Sequence, residues 1–112
     1  MEKMTRGAYL RFYIHENRKH RNILLYEWLL ETAKKAGIPG GSAFRAIAGF
    51  GRHGVIHEQH FFELAGDLTV EVEFLLTDEQ AETLLARLRE EKVRVVYART
   101  QAEFGMIQGE SN

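Results

Sequence analysis

Glycines and basic side chains lie close together in the middle of the 112-residue sequence. Residues 49–54, Gly-Phe-Gly-Arg-His-Gly, fit the spacing G-x-G-x-x-G, in which glycines let backbone N–H groups approach a phosphate. Arg45, Arg52 and His53 add positive charge around these amides. The segment predicts an anion site, and the alternative is a glycine-rich turn that serves only the backbone conformation.

The same pattern does not predict a dinucleotide-binding fold. That fold needs the glycines after the first strand and at the start of a helix. Here they follow the second predicted strand, and residues 55–62 show no helical apolar stripe. The chain is also too short for a cofactor domain with a separate substrate lobe.

Three of the five histidines fall in one short segment, at His53, His57 and His60. A His-x3-His pair on one helix face can bind zinc or copper, but the spacing fixes no third ligand. We interpret these histidines first as surface or hydrogen-bonding residues and expect no metal. A metal-binding trimer that uses all three is the alternative.

Enzyme chemistry has little support in the sequence. No serine or threonine is paired with a base, and no pair of carboxylates stands out. The chain has no cysteine, which excludes a disulfide scaffold, cysteine-ligated zinc and thiol catalysis. We therefore expect a protein that is not an enzyme.

Charge is distributed unevenly although the formal net charge is only -1. Residues 1–60 carry ten Lys or Arg and five Asp or Glu, whereas residues 61–112 carry five and eleven. An anion site is therefore expected to draw on the first half, unless the asymmetry reflects only solvated faces.

The length predicts one domain over residues 1–112, with a core at about 5–100 and a tail at 101–112. No apolar signal core or membrane span is present, which favours a cytoplasmic protein without membrane insertion.

Periodicity predicts four strands and two helices. Alternating apolar residues predict strands over 7–15, 42–50, 68–76 and 93–100. Helical spacing predicts one helix that starts at an Asn22 N-cap and stops at Gly37 and Pro39. A second helix starts at a Thr77 cap, buries an apolar stripe of Ala81, Leu84, Leu85 and Leu88, and ends near Lys92.

This order of elements predicts an α+β, ferredoxin-like β-α-β-β-α-β two-layer sandwich, with one antiparallel sheet and two helices on one face. The other sheet face would carry Tyr9, Arg11, Tyr13, Glu71 and Glu73 and serve as a homo-oligomer interface or a solvated surface. RNA-recognition domains share the order of elements. The exposed Glu71 and Glu73 would repel phosphates, so we expect no nucleic acid.

Several short motifs resemble one prokaryotic family. Leu25-Tyr26-Glu27, Ala36-Gly37, Arg45 followed by Ile47-Ala48-Gly49-Phe50-Gly51, and Ile56-His57 are similar to motifs of the PII-like family catalogued as domain of unknown function 190. The resemblance covers roughly residues 5–100, and the Ile-Ala-Gly-Phe-Gly run is its most specific part. It implies a PII-like member of the PII signalling superfamily.

The resemblance also implies a mode of action. It implies a homotrimer that binds an adenine nucleotide (ATP, ADP, AMP or cyclic AMP) in clefts between subunits. The loop at about 52–67 would respond and contact a regulated target such as a transporter or enzyme. The ligand-binding residues implied are Arg45, Gly49, Gly51, Arg52, His53, Lys92 and Arg99, the last two from the same or a neighbouring chain. A ligand-free interaction module is a further alternative.

Overall fold

The computed structural model of the chain describes residues 2–50 and 68–110. Strand β1 covers Lys3–His15 and is followed by a short hairpin of β2, Lys19–His20, and β3, Ile23–Leu24. Helix α1 covers Leu25–Lys35, and strand β4 covers Ser42–Arg45. Strand β5 covers Thr69–Leu76, helix α2 covers Asp78–Glu90, and strand β6 covers Val96–Met106.

The four long strands form one sheet in the order β4-β5-β1-β6, and every pairing is antiparallel. Strands β4 and β6 are therefore at opposite edges, and β1 lies between β5 and β6. Together with α1 and α2 this is the predicted ferredoxin-like α+β fold, which is confirmed. The hairpin β2–β3 forms a separate two-stranded sheet.

The core lies between one face of the sheet and the two helices. Alternate residues of β1 and β5 point into it, as a period of two requires for a sheet with one apolar face. These are Ala8, Leu10, Phe12, Ile14, Val70, Val72, Phe74 and Leu76, each at most 5% exposed. The predicted stripe of α2, Ala81, Leu84, Leu85 and Leu88, is buried as expected, and α1 contributes Leu25, Trp28, Leu29 and Ala33.

Two predicted helix boundaries are confirmed by their local geometry. Thr77 Oγ1 accepts the N–H of Gln80, while the Gln80 side chain accepts the N–H of Thr77. This capping box satisfies two backbone donors that α2 cannot satisfy internally. Helix α1 ends at Lys35, and Gly37 follows with a φ of 86°, a left-handed conformation that glycine adopts without penalty.

The expected start of the first helix at Asn22 is wrong. Residues Arg21 and Asn22 have φ values of 53° and 68° and form the turn between β2 and β3. Two successive positive φ values are typical of a tight hairpin turn, and asparagine tolerates them well. The residue that precedes α1 is instead Leu24, which makes no side-chain cap.

The second predicted strand, at residues 42–50, is shorter than expected. Strand β4 stops at Arg45, opposite Val70, because its partner β5 begins at Thr69. The last backbone link is the Ala46 N–H to the Thr69 carbonyl, at 2.8 Å. Beyond it Ile47 is 97% exposed, so the alternation seen in the sequence continues without a partner strand.

The last strand is shifted toward the C-terminus relative to the predicted 93–100. It runs over Val96–Met106, because β1 begins at Lys3 and offers residues 101–106 a partner. Met106 lies opposite Lys3 in the register. The predicted tail at 101–112 is therefore strand up to Met106, and residues 107–110 are exposed.

Candidate functional site

Arg45 ends strand β4 and is held by a carboxylate. Its Nε and Nη2 atoms each lie 2.8 Å from Oε1 of Glu16. Glu16 is 6% exposed and is the one buried charged residue in the described part of the chain. Buried charges need a partner, and the Arg45 guanidinium provides it.

Glu16 also joins the two ends of the connection between β4 and β5. Its Oε2 accepts the N–H of Leu68 at 3.3 Å, and its own N–H donates to the Leu68 carbonyl at 2.9 Å. Arg45 lies just before that connection and Leu68 just after it. One carboxylate thus fixes both ends, because β1 ends beside the start of β5.

A cavity of about 400 Å³ opens beside this ion pair. Its polar lining comes from Glu16, Asn17, Tyr26 and Arg45, and its apolar lining from Leu24, Ala43 and Val70. A volume of this size holds a small ligand, and the few convergent polar groups are typical of a binding site. A cation, a carboxylate and a phenol beside aliphatic walls can bind a ligand that has both an anionic and an apolar part.

Only part of the predicted glycine-rich phosphate loop falls in the described residues. Gly49 is exposed, and a Cβ added to it would meet no described atom within 4 Å. Gly51, Arg52 and His53 lie outside the described residues, as do His57 and His60. Their predicted roles in phosphate or metal binding therefore stay predictions.

Arg99 lies far from Arg45 in the topology of one chain. It is on β6, opposite Leu10, where its side chain reaches α2 and contacts Glu82 at 2.5 Å and Asp78 at 3.0 Å. These two carboxylates raise the pKa of Arg99. Since β4 and β6 are opposite edges of the sheet, one chain does not bring Arg99 and Arg45 together.

Lys92 is exposed in the turn that follows α2 and has a φ of 57°. The residue before it, Glu91, forms a charged cluster that sequence reasoning missed. Glu91 accepts hydrogen bonds from His20 at 2.8 Å, from Arg21 at 2.9 Å and from Arg87 at 2.7 Å. These partners, first of all Arg21, lower the pKa of Glu91 to about 2. The cluster ties the β2–β3 hairpin to the end of α2, and the basic run at 18–21 was its only signal in the sequence.

The outer face of the sheet carries the residues predicted for it. Tyr9 and Glu71 each form a side-chain hydrogen bond with Glu73, which raises the pKa of Tyr9 and of Glu71 and lowers that of Glu73. The Arg11 guanidinium lies 4.8 Å from the centre of the Tyr9 ring, and its Nε is buried with no hydrogen-bond partner among the described residues.

Large apolar side chains are also exposed on the strands of the sheet. Phe44, Leu75, Val96 and Met106 are each at least 44% exposed. In the register, Phe44 lies opposite Glu71 and Val96 lies opposite Tyr13, which assigns both to the outer face. The homo-oligomer interface therefore stays a prediction, and the exposed apolar residues of the outer face are compatible with it.

The described residues offer neither a metal cluster nor a membrane span. No three His, Cys, Asp or Glu side chains among residues 2–50 and 68–110 are grouped so that they could hold a metal ion. No helix in the same part of the chain is long and apolar enough to cross a membrane.

Comparisons with known sequences identify related proteins. The sequence model of the DUF190 family, described as "Uncharacterized ACR", matches residues 7–102. A UPF0166 protein of Aquifex aeolicus (strain VF5) is 31% identical over 87 residues, which cover 78% of this chain and 83% of that protein. A UPF0166 protein of Methanocaldococcus jannaschii is 30% identical over 87 residues, which cover 78% and 80%.

Comparisons with solved structures identify the same fold. CPII, a nitrogen regulatory PII-like protein from Thiomonas intermedia K12 solved with ADP, AMP and bicarbonate, superimposes with a TM-score of 0.65 at 19% identity. The match covers 93% of this chain and 92% of CPII. A Thermus thermophilus protein described as PII-like signalling gives 0.61 at 18% identity and covers 90% of both chains. The PII-like fold predicted from the sequence is thereby confirmed.

Proposed function

The chain belongs to the DUF190 family, and on that premise we propose that it is a PII-like signalling protein that binds an adenine nucleotide or a similar anion and is not an enzyme. The observation that carries the proposal is the cavity beside Arg45, where a guanidinium lies next to aliphatic walls. The solved structures of CPII with ADP, AMP and bicarbonate support this class of ligand.

The ligand would lie with its anionic group at Arg45 and its apolar part against Leu24 and Val70. Arginine suits this position because its planar guanidinium can donate two parallel hydrogen bonds to a phosphate. Gly49, Gly51, Arg52 and His53 would add backbone and side-chain donors to the same phosphates. The Tyr26 ring would contact the base or the ribose.

The proposed assembly is a homotrimer with the ligand in a cleft between subunits. The exposed apolar side chains on the outer sheet face support an interface between copies. Arg99 and Lys92 would reach the ligand from a neighbouring chain, because one chain separates Arg99 from Arg45 by the width of the sheet.

The proposed output is the segment at about 52–67. Its anchors are Arg45, before it, and Leu68, after it, and both contact Glu16. Occupancy of the cavity would be passed through these anchors to the segment, which would contact a regulated protein such as a transporter or enzyme. A ligand can shift the equilibrium between two conformations of the protein only by the difference between its affinities for them.

The first experiment is calorimetric titration of the purified protein with ATP, ADP, AMP, cyclic AMP, bicarbonate and zinc. We expect binding of at least one adenine nucleotide, and Arg45→Ala should weaken it by about 1.5 to 3 kcal/mol. Binding of none of the nucleotides would refute the proposal. Zinc binding that is lost in a His53, His57 and His60 triple alanine variant would favour the metal-binding alternative.

The location of the cleft between subunits has its own test. Arg45→Ala and Arg99→Ala are mixed one to one after denaturation and refolded together. If each site takes Arg45 from one chain and Arg99 from the next, random mixing restores about a quarter of the sites. If both residues acted in one chain, or if Arg99 did not contribute, the mixture would bind as the average of the two variants.

A further inference from the structure

Glu16 occupies the same donors of Arg45 that an anionic ligand needs. Both Nε and Nη2 of Arg45 point at Oε1 of Glu16, at 2.8 Å each. These are the two neighbouring N–H groups that form the fork for a phosphate or a carboxylate. A ligand that takes this fork must displace the Glu16 carboxylate from it.

Once a ligand displaces it from Arg45, the Glu16 carboxylate lacks a cationic partner. The side chain is buried, and its remaining described contact is the Leu68 N–H at Oε2. A buried carboxylate that loses its cation is strongly destabilised unless new donors replace it. The ligand itself must therefore donate hydrogen bonds to Glu16 as well as accept them from Arg45.

We propose that Glu16 is a specificity-determining residue, which makes the cavity select an anion that also carries hydroxyl or amino donors and reject a bare anion. This inference rests on the proposed function, since it concerns the ligand of the same cavity. A nucleoside monophosphate fits, because its ribose hydroxyls lie within one small molecule with the phosphate. Sulfate, which carries no proton at neutral pH, offers Glu16 only charge repulsion. Binding sites commonly reject an unsuitable ligand because binding it would leave one of their own buried polar groups unpaired.

The test compares AMP with sulfate on the wild type and on Glu16→Gln. Glutamine keeps the shape and an acceptor oxygen but removes the charge that competes for Arg45. We expect the ratio of sulfate to AMP dissociation constants to fall about tenfold in Glu16→Gln, chiefly because sulfate binds more tightly. Glu31→Gln, which removes an exposed charge of α1, is the matched control and should leave the ratio unchanged.

The outcomes separate this inference from the proposed function. AMP binding with the same ratio in the wild type and Glu16→Gln would overturn the inference and leave the proposed function standing. Sulfate binding gained by Glu16→Gln, while the wild type binds neither probe, would support the inference and count against AMP as the ligand. No binding of either probe to either protein would overturn the inference, whereas the proposed function is refuted only if all the adenine nucleotides fail to bind.

A second measurement keeps the inference testable if Glu16→Gln does not fold. The Arg45 side-chain Nε–H and the Leu68 backbone N–H are followed by NMR in the wild type during AMP titration. The inference predicts that the Arg45 signal shifts as its acceptor changes from carboxylate to phosphate, together with the Leu68 signal. AMP binding without a shift of the Arg45 signal would contradict it.

Discussion

Gly40 and Gly41 are neighbours in the sequence, but the structure gives them opposite tolerance for a side chain. A Cβ on Gly41 would lie 2.4 Å from Cε1 and 2.7 Å from Cδ1 of Phe74. Phe74 is 2% exposed and forms a T-shaped pair with Phe12, so its ring has little room to move. A Cβ on Gly40 would meet no atom of the described residues within 4 Å. Gly41→Ala therefore overfills the core, whereas Gly40→Ala does not.

The two substitutions should change the free energy of unfolding in different directions. Overfilling a packed core costs about 1 to 3 kcal/mol, which is the loss expected for Gly41→Ala. Gly40→Ala should be neutral or stabilise by up to about 1 kcal/mol, because alanine restricts the unfolded chain. Urea unfolding followed by the fluorescence of Trp28, the single tryptophan, measures both at one fixed protein concentration.

A double-mutant cycle identifies the cause of the loss. Phe74→Leu removes the ring atoms that the new methyl would meet. In that background Gly41→Ala should cost at least about 1 kcal/mol less than in the wild type, because contacting residues are coupled. Equal stability of the Gly40 and Gly41 variants, or a cost of Gly41→Ala that Phe74→Leu leaves unchanged, would refute the packing argument.

Three further predictions concern the helix α2 and its ends. Thr77→Ala should lower the free energy of unfolding by about 1 kcal/mol because it removes the capping box, while Thr83→Ala, inside the same helix, should be close to neutral in the same urea assay. The pKa of Glu91 is lowered to about 2 from an unfolded value of 4.5. The contribution of Glu91 to the free energy of unfolding is therefore present above pH 4.5 and is lost as the pH falls toward 2. Glu91→Gln should therefore flatten the loss of stability over that window relative to Glu90→Gln, and parallel pH profiles would contradict this. Arg99→Ala should change stability by less than about 1 kcal/mol, because its partners are exposed, and a larger loss by urea unfolding would show a structural role.

The sequence predicted the sheet and helices well where one face is buried and partners are local. The alternation in β1 and β5 and the stripe of α2 follow from a single buried face, and the structure confirms them. It failed where the outcome depends on a strand partner far away in the sequence. Residues 46–50 alternate as a strand does, but β5 starts too late to pair with them. Residues 101–106 become strand because β1 starts early, which local periodicity does not reveal.

The candidate site could be predicted only in part. The prediction of Arg45 came from its place before the glycine-rich motif, and in the structure its side chain lines a cavity. Glu16 was missed, because a single glutamate after a strand looks like any solvated residue, and only the return of β4 and β5 to the same place buries it. The Glu91 cluster was missed for the same reason, since it joins residues 70 positions apart in the chain.

The position of Arg45 suggests how binding would be coupled to the rest of the chain. Strand β4 has four residues, all exposed, and within the described sheet it pairs only with β5. Little apolar burial holds it, so its local stability is expected to lie at the low end for this fold. The Arg45–Glu16 ion pair and the Ala46–Thr69 hydrogen bond therefore contribute much of the stability that holds the C-terminal end of β4 in place. An anion that takes Arg45 from Glu16 exchanges one of these ties for a contact with itself. The free energy of binding and the free energy of docking the end of β4 are then linked, and this linkage gives the proposed signal a physical route to the connection between β4 and β5.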